Sequence, residues 1–353
     1  MSQPDSNIKL DYTSDLFHKL LSKPKYYGTF LDYIHTELGA LSKIHKIYYG
    51  VEFEFYLRSF GETSEEDIIN KILEFDKLNS NVIVELKKEI GLNQFELILK
   101  IQDSAVEICN LLSRIKNDIK RIAKENLAFA YFHAKPFPDQ PPSSLQFNLS
   151  FYDAFGSNIL KNDVDSLNGI ISGLLSQMRS AMIFFCPTIR CYDRIGDAEG
   201  IKQFRNSPCN VSCGSGENRT TALRIIEYKM STSPEIRKKH MFQDKELLGT
   251  RIEHRVPSPS GDPYHAIIAI SLGILQYFNL KNSKSESVPK VYPIIHENAF
   301  EQEFVDKYRL KALPKKLKIA DDRYIYSDFR VFANKIVKDF LVFNKNKRTN
   351  EEM

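Results

Sequence analysis

A short alternating segment at residues 50–57 (GVEFEFYL) limits the folds open to this chain more than any other part of the sequence. Successive side chains of a strand point to opposite faces, so Glu52 and Glu54 share one face and Phe53 and Phe55 share the other. The aromatic face predicts a strand packed on a hydrophobic core. The two like charges require a divalent cation or arginines between them, unless this side of the strand simply faces solvent.

A second charged strand is predicted at residues 251–256, where the same period places Arg251, Glu253 and Arg255 on one face. A carboxylate between two guanidinium groups stays ionised, and it can hold a hard cation or orient a phosphate. A purely structural ladder of ion pairs is the alternative. Other carboxylates and arginines beside predicted strands are Glu89, Glu96, Arg219 and Arg224. Oxygen ligands suit Mg²⁺ or Mn²⁺, and Mg²⁺ together with arginines is typical of phosphoryl transfer.

Helices and strands are intermixed along the rest of the chain, which predicts an α+β or α/β protein. Helical patterns occur at 11–41 with a break at Pro24, at 64–78 with Ser64 as N-cap, and at 104–127, 164–184 and 263–277. Further strands are predicted from residue 95 and at 145–152 and 219–228. The polar residues 344–353 have the composition of a disordered tail.

Charge and hydropathy exclude several classes of protein. Forty-nine Lys and Arg against 45 Asp and Glu give a net charge of +4, too small and too evenly mixed for a nucleic-acid-binding surface. The longest apolar stretch, 266–278, is shorter than the roughly 20 residues of a membrane span, and no signal peptide is recognisable. Five cysteines, whose spacing fits no common zinc site, predict free thiols in a reducing compartment. We therefore expect a cytoplasmic protein without nucleic-acid or membrane partners.

Six segments follow one another in an order that is itself informative. They are GVEFEFYL at 50, EIGLNQFE at 89, AKPFPDQ followed by SSLQFNLSFYD ending at Asp153, CPTIRCYDR ending at Arg194, ENRTTALRI ending at Ile225, and RIEHRVPSPSGDPYHAIIAI ending at Ile270. In this order and approximate spacing, the chain from about residue 50 to about residue 320 resembles the glutamine synthetase catalytic domain, including its γ-glutamyl-amine ligase relatives. The alternating EFEF strand and RIEHR with its downstream DPY are the most specific parts.

The resemblance implies an α+β catalytic domain at residues 46–343, after a helical lead-in at 1–45, with an antiparallel sheet lining the active-site funnel and helices outside. It implies ATP and Mg²⁺ or Mn²⁺ as cofactors, small-molecule substrates and a possible homo-oligomer. In such enzymes ATP phosphorylates the γ-carboxylate of glutamate, and ammonia or an amine then displaces the phosphate.

Matching the motifs residue by residue implies a set of site residues. One metal would be held by Glu54, Glu89 and Glu96, and another by Glu52 and Glu253. The other implied residues are Arg219 and Arg255 as catalytic groups facing phosphate, Arg224 and Ser150 on the nucleotide, and Arg194 on the substrate carboxylate.

The chain also departs from the family pattern. Gln146 stands where the family has a metal-binding histidine, and Pro141-Pro142 replace an Asn-Gly that helps to hold the amino acid. No carboxylate falls near residues 206–208, where true glutamine synthetases carry a loop glutamate, and the segment before Gly50 is too short for the family's N-terminal β-grasp domain. Two hypotheses follow: an ATP-dependent carboxylate-amine ligase, or a catalytically impaired paralogue that retains nucleotide and metal binding or serves as an interaction partner.

Overall fold

The computed structural model describes residues 15–195, 207–227 and 249–351. Its helices, numbered in chain order, are α1 (Leu16–Leu21), α2 (Tyr27–Leu41), α3 (Glu65–Asn79), α4 (Ala105–Glu125), α5 (Ile159–Asn162), α6 (Val164–Gln177), α7 (Met182–Phe185), α8 (Pro263–Asn282), α9 (Gln302–Tyr308), α10 (Leu317–Ile325) and α11 (Asp328–Glu351). Short 3₁₀ helices span Pro24–Tyr26 and Ile189–Arg194. The strands are β1 (Lys46–Ser59), β2 (Ile83–Lys88), β3 (Gln94–Gln102), β4 (Ala128–Tyr131), β5 (Leu145–Tyr152), β6 (Asn210–Val211), β7 (Cys213–Ser215), β8 (Leu223–Ile226), β9 (Arg251–His254), β10 (Ile294–Ile295) and β11 (Lys311–Ala312).

A nine-stranded sheet in the order β10, β7, β8, β9, β5, β1, β3, β2 forms the centre of the molecule, with β4 added to the end of β1. The strands around β1 pair antiparallel, whereas β7 pairs in parallel with both β8 and β10 at one edge. A separate antiparallel ribbon joins β6 and β11. The predicted α+β class is confirmed, and the sheet is mixed rather than purely antiparallel.

The two faces of β1 differ as the alternating sequence predicts. Phe53 and Phe55 are fully buried, and their rings lie 6.0 and 5.4 Å from that of Phe132. This aromatic cluster faces α4, whose Lys116 ammonium lies 5.9 Å from the centre of the Phe53 ring. Burial of the aromatic face fixes the direction of the opposite face, which carries the glutamates.

Helix starts follow the capping residues in the sequence. The Ser64 hydroxyl accepts a hydrogen bond from the Asp67 amide. Asp262 precedes Pro263, the first residue of α8, and its side chain accepts a hydrogen bond from the Tyr264 amide. Such caps satisfy amide groups that have no partner inside the helix. The pattern at 164–184 is divided by a turn into α6 and α7. Among the described helices, none combines the length and the apolar composition that a membrane-spanning helix needs.

The N-terminal helices pack on the C-terminal ones. Asp15 caps α1, and its other carboxylate oxygen accepts hydrogen bonds from Arg330 and Tyr324. The backbone of residues 344–351 continues helix α11, where the polar composition predicted disorder. Buried Phe332 and Phe340 already fix this helix, so adding further polar residues to its end costs little free energy. The division into a lead-in, a catalytic domain and a tail stays a prediction.

Helices α6 and α8 cross at a pair of glycines. A Cβ atom added to Gly173 would lie 2.8 Å from the Gly273 carbonyl oxygen and 3.0 Å from the Ile274 Cα. Only a residue without a side chain therefore allows this approach of the two backbones.

We expect Gly173→Ala to lower the free energy of unfolding by about 1 to 3 kcal/mol, because the helices must separate to admit the methyl group. Gly39→Ala in α2 is the matched control, since its nearest new contact is an ordinary 3.5 Å to the Ile44 carbonyl oxygen. Urea unfolding compares the two variants. Equal effects of the two substitutions would contradict the close crossing.

Candidate active site

A pocket of about 150 Å³ opens on the charged face of the sheet beside β1. Nine of the ten site residues implied by the sequence line it, although they come from distant parts of the chain. These nine are Glu52, Glu54, Glu89, Glu96, Arg194, Arg219, Arg224, Glu253 and Arg255. The tenth, Ser150, lies on β5 outside the lining, fully buried, and its hydroxyl has no hydrogen-bond partner among the described residues.

Strand register brings these side chains next to one another. Glu54 lies opposite Glu96 across the β1–β3 pair, and Glu52 lies opposite Gln146 across the β1–β5 pair. On the other side of β5, Glu253 of β9 lies opposite Arg224 of β8. Directly opposed residues in antiparallel strands have Cβ atoms about 5 Å apart, so charges at these positions interact strongly.

The β1–β3 side of the pocket is acidic. Burial, together with the charges of Glu96 and Glu89, raises the pKa of Glu54 to about 8. Burial and the charge of Glu96 likewise raise the pKa of Glu89. Glu54 accepts hydrogen bonds from the amide and hydroxyl of Ser144, at 3.0 and 3.1 Å. Carboxylates that repel one another in this way favour a bound cation.

Glu52 lies between the acidic and basic sides. Burial, then the charges of Glu253 and Glu96, raises the pKa of Glu52, while Arg251 and Lys87 oppose the shift. Its oxygen accepts a 3.0 Å hydrogen bond from the Asn148 amide, and that residue in turn accepts one from Arg251. The Asn148 amide on β5 therefore links the Glu52 carboxylate on β1 to Arg251 on β9.

On the β8–β9 side, a single carboxylate is held by two arginines. Arg224 donates two 2.9 Å hydrogen bonds, one to each oxygen of Glu253, and Arg255 donates a third at 2.6 Å. Burial would raise the pKa of Glu253, but the two guanidinium groups lower it, so the group stays ionised. As arranged, its oxygens are engaged by arginines and are not free for a metal.

The remaining two arginines differ in availability. Arg194 is 1% exposed, and its terminal nitrogens donate to the main-chain oxygens of Pro257 and Arg255. It therefore fixes the segment that carries Arg255, and engaging a substrate would require these bonds to break. Arg219 is half exposed and lies 3.9 Å from the exposed carboxylate of Glu217. Its guanidinium is the most accessible of the four lining the pocket.

Several contacts in the pocket depend on residues that sequence reasoning did not identify. Lys87 forms a 2.5 Å ion pair with Glu96, and Gln94 donates to the main-chain oxygen of Pro142. Tyr56 donates to the main-chain oxygen of Pro141 at 2.6 Å, so the two prolines are held through carbonyl groups and need no N–H. The sequence signal that could have identified Lys87 is its position two residues before Glu89. That signal needs strand β2, which the alternation of apolar residues did not predict.

The donor set fits a hard cation on the acidic side only. Glu54, Glu89 and Glu96 supply carboxylate oxygens, and their mutual repulsion would be relieved by a divalent ion. Within residues 15–195, 207–227 and 249–351, no three His, Cys, Asp or Glu side chains are gathered closely enough to hold a metal as they stand. The five cysteines are all free and buried, as expected, and none of them lines this pocket.

The raised pKa of Glu54 makes stability depend on pH. A carboxyl group with a higher pKa in the folded state stabilises the fold at low pH, and this contribution is lost as pH rises through its folded value of about 8. In metal-free buffer, we therefore compare the free energies of unfolding of Glu54→Gln and wild type. We expect their difference to change by about 1 to 3 kcal/mol in favour of Glu54→Gln from about pH 5 to about pH 9. Urea unfolding at both pH values measures the difference.

Glu125→Gln is the matched control, because Glu125 is exposed on α4 and pairs only with Arg121 among the described residues. It should follow the wild-type pH dependence. A constant difference between Glu54→Gln and wild type across this range would mean that Glu54 titrates normally.

Comparison with known proteins assigns the chain to a family. Gamma-glutamylputrescine synthetase PuuA of Escherichia coli (strain K12) is 27% identical over 213 residues, covering 59% of this chain and 40% of the relative. Glutamine synthetase of Pyrococcus abyssi (strain GE5 / Orsay) is 24% identical over 278 residues, covering 73% and 56%. The chain thus spans about half the length of these relatives.

Solved structures are similar in fold. A GmaS/ADP complex superimposes with a TM-score of 0.63 at 17% identity, over 90% of this chain and 74% of that one. Apo GmaS without ligand gives a TM-score of 0.62 at the same identity. The sequence model described as glutamine synthetase, catalytic domain, matches residues 48–352. The chain therefore belongs to the glutamine synthetase family, through its catalytic domain.

Proposed function

We propose that this protein is an ATP- and Mg²⁺- or Mn²⁺-dependent ligase. It would join the γ-carboxylate of glutamate, or of a related acid, to ammonia or an amine through an acyl phosphate. The observation that carries the proposal is the convergence of five glutamates and four arginines on one pocket. Relatives named as glutamine synthetase and gamma-glutamylputrescine synthetase support a ligase that forms an amide from a carboxylate and an amine.

The acidic side of the pocket would hold the cation. Glu54, Glu89 and Glu96 are the residues proposed for it, and the bound ion would neutralise charge on the phosphoryl group during transfer. The Ser144 amide and hydroxyl each donate to one oxygen of Glu54, so this carboxylate would be held in place before the ion arrives.

The arginines would bind the phosphate groups. Arg219 is accessible and would approach the nucleotide, while Arg255 and Arg224 are oriented by Glu253. Guanidinium groups fixed in this way stabilise charge on transferring oxygens without reorganising during the reaction. Arg194 would act indirectly, since its bonds to the main chain hold the segment that carries Arg255.

A second candidate, the catalytically impaired paralogue, is favoured by a specific observation. The Gln146 oxygen lies 3.5 Å from the Arg255 guanidinium, and Glu253 is fully engaged by two arginines. The pair Glu52 and Glu253 therefore offers a poor second cation site as arranged. Such a protein would bind ATP with one cation and release no ADP.

An assay of ADP release separates the two candidates. With Mn²⁺ or Mg²⁺, ATP and a panel of acids and amines, we expect ADP release that requires both an acid and an amine. Glu54→Gln should reduce the rate at least about a hundredfold, because it weakens the cation site that supports phosphoryl transfer.

The same variants provide the binding control. ATP with Mn²⁺ should raise the melting temperature of wild type and of Glu125→Gln, and should raise that of Glu54→Gln less. A melting shift without ADP release from any pair of substrates would favour the impaired paralogue. No shift and no ADP release would contradict both candidates.

A further inference from the structure

Lys87 is a positive charge inside the acidic side of the pocket. Strand β2 pairs with β3 so that Lys87 lies directly opposite Glu96, and the two side chains form a 2.5 Å ion pair. The adjacent Lys88 points to the other face of the strand, where its ammonium lies 3.6 Å from Glu66 on α3. Two neighbouring lysines therefore differ in that only one of them enters the pocket.

The ion pair keeps one carboxylate from its neighbours. Glu96 is 9% exposed and lies opposite Glu54, yet its oxygen is held by the ammonium rather than turned toward a shared site. This agrees with the finding that the described residues contain no assembled group of three carboxylates. A lysine ammonium is charged at neutral pH, so it also opposes the charges of Glu89 and Glu52 in this pocket.

The ion pair of Lys87 can be exchanged, whereas the arginine contacts of Glu253 cannot. The Lys87 side chain is 44% exposed and has a flexible stem, so its ammonium can move into water at little cost. Arg224 and Arg255 are 10% and 7% exposed, and removing either from Glu253 would take away part of the compensation of a buried charge. A cation entering the pocket can therefore displace the lysine but not the arginines.

We infer that Lys87 is a resident counter-ion that competes with a divalent cation for Glu96. Cation binding would release the ammonium, free Glu96 and let it join Glu54 and Glu89 around the ion. Lys87 would then set the cation affinity of the pocket without touching the ion. This inference rests on the proposed metal dependence and adds to it the residue that regulates the site.

Mn²⁺ binding to the full chain, followed by the electron paramagnetic resonance signal of free Mn²⁺, tests the inference without an activity assay. We expect Lys87→Met to bind Mn²⁺ about five- to tenfold more tightly, since it removes a competing charge and keeps the apolar stem. Lys88→Met is the matched control, and Lys87→Arg retains the charge. Both should stay within about twofold of wild type, and thermal unfolding verifies that each variant is folded.

Each result bears on a separate statement. Equal or weaker Mn²⁺ binding by Lys87→Met, with normal binding by wild type, would overturn the role of Lys87 and leave the ligase proposal intact. Tightening by Lys88→Met of the same size would also overturn it, because the effect would then be one of net charge. Glu54→Gln should lose binding in every background. Absence of Mn²⁺ binding from all variants would overturn both the metal dependence and the inference built on it.

Discussion

The antiparallel pairing of β1 with β3 on one side and β5 on the other is the interaction on which the site depends. This pairing places Glu54 beside Glu96 and Glu52 beside Gln146. A slip of one residue would turn the glutamates into the core and the aromatic rings into the pocket. Burial of Phe53 and Phe55, worth about 1.5 to 3 kcal/mol each, opposes such a slip. Burial of the hydrophobic face thereby holds the carboxylates close together although they repel one another.

Much of the fold follows from local rules that a sequence displays. The alternation of apolar and charged residues predicted β1 and both of its faces. Ser64 predicted the start of α3, where its hydroxyl caps the helix. Strand β2 was missed because its residues Ile83–Lys88 are partly exposed at the sheet edge and show little alternation. Strand β4 has four residues and pairs only with the end of β1. Edge positions of this kind are defined by their partners and carry a weak signal of their own.

The sequence predicted which residues gather in the pocket but not how they bond to one another. Residue types and the resemblance to the family indicated ten residues, and nine of them line the pocket, while their roles stay a prediction. Which groups neutralise one another depends on distances across strands. Glu253 is held by two arginines, Glu96 by a lysine and Arg194 by main-chain oxygens. Each of these pairs joins residues from different segments or is set by the local backbone, so neither spacing nor composition reveals it.

The contact between Asp15 and Arg330 joins residues 315 positions apart in the chain. During synthesis, α1 and the apolar side of α2 emerge long before α8 and α11, the helices that cover them. Contacts with such large sequence separation form slowly, because a long loop must close before they are made. The surface around Phe17 and Phe30, fully buried in the finished fold, is therefore exposed to solvent or to chaperones until α11 has been synthesised. The packing of α1 and α2 against α8 and α11 therefore has to wait for residues that lie more than 200 positions further along the chain.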